Sequence, residues 1–70
     1  MNRDSVQSSM MLSVGYDSRT STLEVEFKQG AIWEYHDVPE SLYHEMRGAA
    51  SIGTFFSAHI KGHFPENRVG

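Results

Sequence analysis

Residues 23–39 read LEVEFKQGAIWEYHDVP, and this stretch decides the fold of the chain. In its first part three large apolar residues alternate with charged ones, which is the period of two of a strand with one buried face. In its second part Trp33 and Tyr35 occupy alternate positions, so they share a face. Gly30 separates the two parts. The stretch therefore predicts an antiparallel hairpin.

The length of the hairpin turn decides which face of the sheet is buried. A two-residue turn would place Trp33 opposite Glu26 and would divide the large apolar residues between both faces. A three-residue loop at residues 28–30, with its glycine left-handed, would place Trp33 opposite Val25. That register collects five large apolar side chains on one face. We therefore predict the second register, in which Trp33 and Tyr35 belong to the core.

The register also matters for function. Exposed Trp33 and Tyr35 side chains could stack on nucleic-acid bases, whereas buried ones would serve packing. In the exposed arrangement they would also lie beside Glu24 and Glu26, whose carboxylates repel phosphate groups. The sequence therefore favours a packing role for both aromatic residues.

An alternating run at residues 10–16 predicts a further strand ahead of the hairpin. It places Met10 and Leu12 on the apolar face and Met11 on the other face. The polar residues 17–21 then form a short connection, which favours antiparallel neighbours. We therefore expect a three-stranded antiparallel β-meander whose apolar face must be covered by other elements.

Two helices can cover that face. Pro39 suits the first position of one helix, along which apolar residues recur at helical spacing. Ser51 suits the N-cap of a second helix with a continuous apolar stripe, and Gly62 is a natural left-handed stop. The sequence thus predicts an α+β fold, a three-stranded antiparallel β-meander followed by two helices packed on one face (βββαα).

Length and composition limit what this fold can contain. The 70 residues are expected to form one domain at residues 8–64, with flexible ends at residues 1–7 and 65–70. The absence of cysteine excludes disulfides, a thiol nucleophile and cysteine-ligated zinc. The apolar stretch near the start is far too short for a signal or a membrane span, so we expect a cytoplasmic location without membrane association.

The order of these features resembles the KTSC domain, a family named after the C-terminal region of certain lysyl-tRNA synthetases. The matching positions are Ser8, Ser9, Gly15, Tyr16, Asp17, Phe27, Gly30, Trp33, Glu34, Tyr35, Val38, Pro39, Ala50, Ser51, Ile52, Gly53, Phe55, Phe56, Ile60 and Lys61. The family's central motif is Tyr-x-Tyr, and Trp33 stands in its first place here, which keeps an aromatic body but loses the phenol hydroxyl. The resemblance implies a small domain, found alone in bacteria and phages or appended to the synthetase, with no established activity. RNA binding has been suggested for the family from that association.

The residues themselves do not indicate catalysis. No serine lies in a Gly-x-Ser-x-Gly elbow, and the sequence contains neither a Gly-x-x-x-x-Gly-Lys phosphate loop nor a Gly-x-Gly-x-x-Gly fingerprint. His59 and His63 have the spacing of a helical metal pair, but Gly62 is expected to end the helix between them and no third ligand stands at a fixed spacing. We therefore expect no enzymatic activity, no metal site and no cofactor.

Charge is distributed unevenly along the chain. Residues 1–40 carry three basic and seven acidic side chains, whereas residues 41–70 carry three basic and two acidic ones. An anionic ligand should therefore prefer the second half. The candidate contacts with nucleic acid are His44, Arg47, Lys61, His63 and Arg68.

Two classes of function remain open at this point. The first is weak binding of RNA or single-stranded nucleic acid by these cationic residues, with an affinity that falls as salt rises. The alternative is a protein–protein interaction module or a homodimer, suggested by the small core, the acidic sheet surface and the unpaired edges of a short sheet.

Overall fold

A computed structural model describes residues 2–70, which form an antiparallel sheet with two helices packed on one of its faces. The elements are β1 (Asp4–Ser5), β2 (Met11–Asp17), β3 (Thr22–Phe27), β4 (Ile32–Tyr35), α1 (Glu40–Gly48), α2 (Ile52–His59) and β5 (Glu66–Arg68). The strands lie side by side in chain order and each neighbouring pair is antiparallel. The α+β class is confirmed, and the described sheet has five strands instead of the predicted three.

The central hairpin has the register that its turn predicts. Val25 pairs with Trp33 across β3 and β4. The backbone N–H of Phe27 donates to the Ala31 carbonyl at 2.9 Å, so the loop has three residues, 28–30. It ends on Gly30, whose φ of 103° lies in the left-handed region that glycine tolerates best. Tyr35 consequently lies on the core face and is only 3% exposed.

The core lies between the sheet and the two helices. Its buried members are Met11, Val14, Leu23, Val25, Phe27, Tyr35, Val38, Tyr43, Met46, Phe56 and Ile60. Phe56 of α2 meets two strand aromatics edge-on, with ring centroids 5.8 Å from Phe27 and 5.2 Å from Tyr35. Edge-to-face contacts of this kind add to the free energy gained by burial, and they fix α2 over the hairpin.

The ends of the helices follow the predicted signals closely. Pro39 is the N-cap of α1, which begins one residue later at Glu40. The Ser51 hydroxyl accepts a hydrogen bond from the backbone N–H of Thr54 at 3.2 Å, so Ser51 is the N-cap of α2 as predicted. Gly62 has a φ of 81° in the turn that follows α2.

The alternation predicted for the start of β2 is wrong because that strand contains a β-bulge. Its pairing with β3 shifts between Met11 and Ser13, so Leu12 is an extra residue in the ladder. Met11 is fully buried and Leu12 is 44% exposed, the reverse of the expected arrangement. Because strand side chains alternate between faces, one extra residue moves each strand residue on its N-terminal side to the opposite face of the sheet.

The edge strands β1 and β5 are the strands that the sequence did not predict. They contain two and three residues, all exposed, and they are held by backbone pairing with β2 and β4. Because they bury little apolar surface, their residues show no alternation from which a strand could be predicted. The flexibility expected of residues 1–7 and 65–70 stays a prediction, and Met1 lies outside the described residues.

Candidate binding cleft

A cleft of about 270 Å³ lies between the central hairpin, β5 and the residues that follow α2. We call it the Trp33 cleft, and its main walls are the buried aromatic residues Phe27, Tyr35 and Phe56 and the rim residues Gln29, Trp33, Lys61 and Glu66. The rim residues come from three separate segments of the chain. The pairing of β5 with β4 therefore completes the rim of the cleft by placing Glu66 there.

Trp33 is the aromatic residue that the cleft presents to a ligand. It packs against the core but is only partly buried, whereas the other motif residue, Tyr35, is almost fully buried. Tyr35 is thus a core residue, whereas Trp33 leaves part of its side chain exposed. Arg68 lies directly opposite Trp33 in the β4–β5 ladder. Because opposed residues project from the same face, a cation adjoins the indole.

Lys61 and Glu66 bring opposite charges to the rim of the Trp33 cleft. Lys61 is exposed in the turn after α2, and Glu66 is exposed at the start of β5, where it pairs with Tyr35. Within residues 2–70, no ion pair shorter than 4.0 Å joins the Lys61 ammonium to the Glu66 carboxylate. Both charged groups therefore face the cleft without neutralising each other.

The Tyr35 hydroxyl stays neutral beneath these charges. Burial, together with the negative charge of Glu66, raises the pKa of the Tyr35 phenol to about 12. At neutral pH the floor of the cleft is consequently uncharged, and the charge that a ligand meets comes from the rim.

The cationic residues predicted to contact nucleic acid fall into two groups. Lys61 lines the Trp33 cleft and Arg68 lies across the ladder from Trp33. His63 is exposed in the turn between Lys61 and β5. These three residues belong to the same side of the molecule.

Arg47 and His44 belong to the other side. The Arg47 guanidinium donates to the Tyr43 hydroxyl at 2.8 Å and to the Asp4 carboxylate of β1 at 3.3 Å, and these two groups raise the pKa of Arg47. The His44 imidazole lies 3.3 Å from the Glu40 carboxylate. Since β1 and β5 are opposite edges of the sheet, four strand spacings of about 4.8 Å put them about 19 Å apart. The structure does not bring the five residues into one surface.

The face of the sheet that the helices leave open is acidic. Glu24 lies opposite Glu34 in the β3–β4 ladder, and Glu26 accepts a hydrogen bond from the Ser13 hydroxyl at 2.8 Å. Arg3 forms an ion pair with Glu24 and donates to the Ser13 hydroxyl at 3.2 Å. A phosphate backbone would be repelled from this face, so an anionic ligand is directed to the helix side.

Two other features, the His59–His63 pair and a second cavity, do not bring reactive side chains together in the described residues. The His59 ring packs beside Phe55 with centroids 4.6 Å apart, and left-handed Gly62 separates it from His63. A second, more open cavity of about 430 Å³ is lined by hydroxyl groups at the start of α2, where Ser51 already serves as the cap. Among residues 2–70, no group of three or more histidine, aspartate or glutamate side chains could hold a metal ion. No helix in the described part of the chain has the length and apolar character needed to cross a membrane.

The fold and the cleft define a small α+β domain with its recessed surface on the helix side of the sheet. The chain belongs to the KTSC domain family, whose family model matches residues 7–64. This confirms the resemblance seen in the sequence.

Solved and curated relatives give the same result. The crystal structure of a KTSC domain protein from Yersinia pestis has a TM-score of 0.93 and 40% identity, covering 99% of this chain and 97% of that one. An uncharacterized protein of Stutzerimonas stutzeri is 39% identical over 61 residues, which are 87% of this chain and 86% of the relative. A lysine–tRNA ligase of Nostoc punctiforme is 36% identical over 58 residues, which are 83% of this chain but 10% of the ligase. Sequences of this type therefore occur in chains of similar length and as one segment of a much longer ligase.

Proposed function

We propose that this domain is a non-enzymatic binding module for RNA or single-stranded nucleic acid and that the ligand binds at the Trp33 cleft. The observation that carries the proposal is the meeting of a partly exposed indole with Lys61 and Arg68 on one side of the molecule. Proteins that bind single strands combine these two elements, because aromatic rings stack on bases and cations attract the phosphates that follow them.

The small number of cations makes the proposed binding weak and sensitive to salt. The formal net charge is −3, and two cationic residues, Lys61 and Arg68, lie on the cleft side together with the exposed His63. Two to three phosphate contacts on a single strand imply that a tenfold rise in salt weakens binding roughly 25- to 125-fold. This dependence separates the proposal from an apolar interaction, which salt does not weaken.

The lysine–tRNA ligase relative adds support from a different direction. The name of that protein places its substrate among RNA molecules, and the matching segment makes up 10% of its length. A domain of this type beside a tRNA-dependent enzyme is consistent with a contact to RNA, which we extend to this chain as part of the proposal. The cytoplasmic location expected from the sequence stays a prediction.

Trp33 offers a direct test because it is the one tryptophan of the chain. A short single-stranded RNA of mixed sequence, added at low salt, should change the Trp33 fluorescence with saturation. Substitution Lys61→Glu replaces an exposed cation with an anion, so it should weaken binding at least tenfold without loss of the fold. The matched control is Arg19→Glu, which changes the net charge by the same amount, since the Arg19 side chain is 87% exposed and lies in the β2–β3 turn, at the opposite end of the sheet from the β3–β4 loop.

The outcomes separate the proposal from a general charge effect. Binding that Lys61→Glu weakens and Arg19→Glu leaves unchanged supports the Trp33 cleft. Equal effects of the two substitutions would indicate a response to net charge and would contradict the proposed site. No fluorescence response at low salt, with the circular dichroism of a folded domain, would contradict binding of nucleic acid at the Trp33 cleft.

A second candidate function is a protein-interaction module or homodimer, which the edge at β5 favours. In the described sheet β5 pairs only with β4, so its outer side offers backbone groups for strand addition. Val69, directly after this strand, is 48% exposed. Sedimentation over a wide range of protein concentration tests self-association, and a monomer at every concentration would contradict it.

A further inference from the structure

Glu66 is an unexpected residue at a surface that attracts phosphates. Its side chain lines the Trp33 cleft on the same face as Tyr35, with which it pairs in the β4–β5 ladder. The residue is exposed, and within residues 2–70 its carboxylate takes part in no ion pair and accepts no side-chain or turn hydrogen bond. The carboxylate oxygens are therefore available to a ligand in the cleft.

An ionised carboxylate can only accept hydrogen bonds, so it selects ligand groups that donate. It repels phosphates, so the groups of a ribonucleotide that can face Glu66 are the ribose 2′-hydroxyl and the donors on the edge of the base, and only the base edge differs between nucleotides. The cleft volume of about 270 Å³ is below the range of drug-sized sites, which fits a single base and not a stack of several.

The four RNA bases differ in the donors that they present on this edge. Guanine has the N1–H and the N2 amino group side by side, which match the two oxygens of a carboxylate in a bidentate pair. Adenine and cytosine present one amino group beside an acceptor nitrogen, and uracil presents one N–H between two carbonyl oxygens. Facing Glu66, each of these three bases directs at least one acceptor at the carboxylate.

The other rim residues complete the match with guanine. Gln29 lies in the β3–β4 loop and lines the same cleft as Glu66, and its side-chain amide can donate to the O6 carbonyl of the base. Lys61 provides the cation for the phosphate, and Trp33 provides the aromatic surface for the ring. The lining of the cleft thus offers an acceptor, a donor, a cation and an aromatic surface, one for each part of a guanine nucleotide.

We infer that the Trp33 cleft selects guanine in single-stranded RNA, with the Glu66 carboxylate accepting hydrogen bonds from the N1–H and the N2 amino group. This inference rests on the proposed function and adds a base specificity to it. Glu66 is then the residue that determines specificity, whereas Lys61 contributes affinity for any base.

The test uses five RNA pentamers of uridine that differ in the central nucleotide: guanosine, inosine, adenosine, cytidine or uridine. Trp33 fluorescence gives the dissociation constant of each at low salt. The guanosine pentamer should bind roughly tenfold or more tightly than the adenosine, cytidine and uridine pentamers, as expected for a bidentate pair. Inosine keeps the N1–H and lacks the N2 amino group, so its affinity should lie between these values.

The substitution Glu66→Gln keeps the size of the side chain and removes the charge, and it should reduce the guanosine-to-uridine affinity ratio to about one. Because Glu66→Gln also makes the protein less acidic, the ratio is the readout and not the affinity. The control is Glu45→Gln at an exposed position of α1, which changes the net charge equally and should leave the ratio unchanged.

Each result supports or overturns the inference. A guanine preference that Glu66→Gln removes and Glu45→Gln preserves supports it. Equal affinity for all five pentamers, or a preference that survives Glu66→Gln, overturns it, and binding that still depends on Lys61 leaves the proposed function standing. Absence of binding to every pentamer overturns both the proposed function and the inference.

Discussion

Replacing Phe56 by leucine tests whether α2 is held on the sheet by specific aromatic contacts. The Phe56 side chain is fully buried, and its ring meets Phe27 at an interplanar angle of 64° and Tyr35 at 79°. Leucine keeps most of the apolar burial and removes both edge-to-face contacts. The substitution therefore isolates the geometry of the aromatic cluster from the hydrophobic effect.

The size of the effect follows from these two contacts. Each edge-to-face pair contributes about 0.5–1.5 kcal/mol beyond burial, so Phe56→Leu should lower the free energy of unfolding by about 1–3 kcal/mol. At about 0.05–0.15 kcal/mol per residue, a chain of 70 residues has a total of about 4–10 kcal/mol. The substitution therefore removes a substantial share of the stability and leaves a folded protein.

Urea unfolding followed by circular dichroism measures this change. Phe55→Leu on the same helix is the matched control, because Phe55 is half-buried and its ring contacts the exposed His59. The control should cost less than about 1 kcal/mol. If Phe55→Leu destabilises the protein as much as Phe56→Leu, the edge-to-face contacts of Phe56 do not hold α2 on the sheet.

Three further predictions concern other parts of the fold. Ser51→Ala should lower the free energy of unfolding by about 1 kcal/mol because its hydroxyl caps α2 at 3.2 Å, whereas exposed Ser57→Ala should change little in the same urea titration. Since the pKa of Tyr35 is about 12 when folded and near 10 when unfolded, its contribution to stability is complete below about pH 10 and is lost as the pH rises towards 12. Tyr35→Phe should flatten this alkaline decline in urea unfolding. A Cβ at Gly15 would lie 2.5 Å from the backbone carbonyl of Asn2, so Gly15→Ala should detach β1 and speed its amide hydrogen exchange.

Each of these three predictions has a result that would contradict it. Equal stability of the two serine variants would contradict the capping role of Ser51. If the free energy of unfolding declines at alkaline pH in Tyr35→Phe as it does in the original protein, another titrating group causes the decline. Unchanged protection of β1 in Gly15→Ala would show that the close approach to Asn2 does not hold that strand in place.

The central hairpin could be predicted from the sequence because its determinants are local. Gly30 and the alternation on either side of it select one register, and the paired Val25 and Trp33 confirm the choice. The cap at Ser51 has the same local character. Patterns within a few residues suffice where each strand or helix buries one continuous face.

The rest of the fold depends on contacts between distant segments. The bulge at Leu12 exchanges the faces of β2, and no residue in that stretch signals an insertion in the ladder. The exposed strands β1 and β5 have no alternation, and their pairing is decided by the edges of the sheet that they meet. A sequence pattern reflects which residues are buried, and the residues of these two strands are exposed.

The candidate site was harder to predict than the fold for the same reason. Lys61 and Arg68 were identified from charge alone, but Arg47 with the same charge lies beside β1 at the opposite edge. Gln29 and Glu66 were missed, since they enter the cleft only through the hairpin loop and through the pairing of β5. The position of Trp33 in the strand predicts which face of the sheet its side chain lies on, but not how much of that side chain is exposed.

The central claim is that nucleic acid binds at the Trp33 cleft, and a backbone amide NMR titration with a pool of short single-stranded RNAs at low salt tests it most directly. We predict salt-sensitive shifts at Trp33, Lys61, Glu66 and Arg68, with the amides of α1 around Arg47 unchanged. Shifts centred on Arg47, or a spectrum that stays unchanged throughout the titration, would contradict the claim.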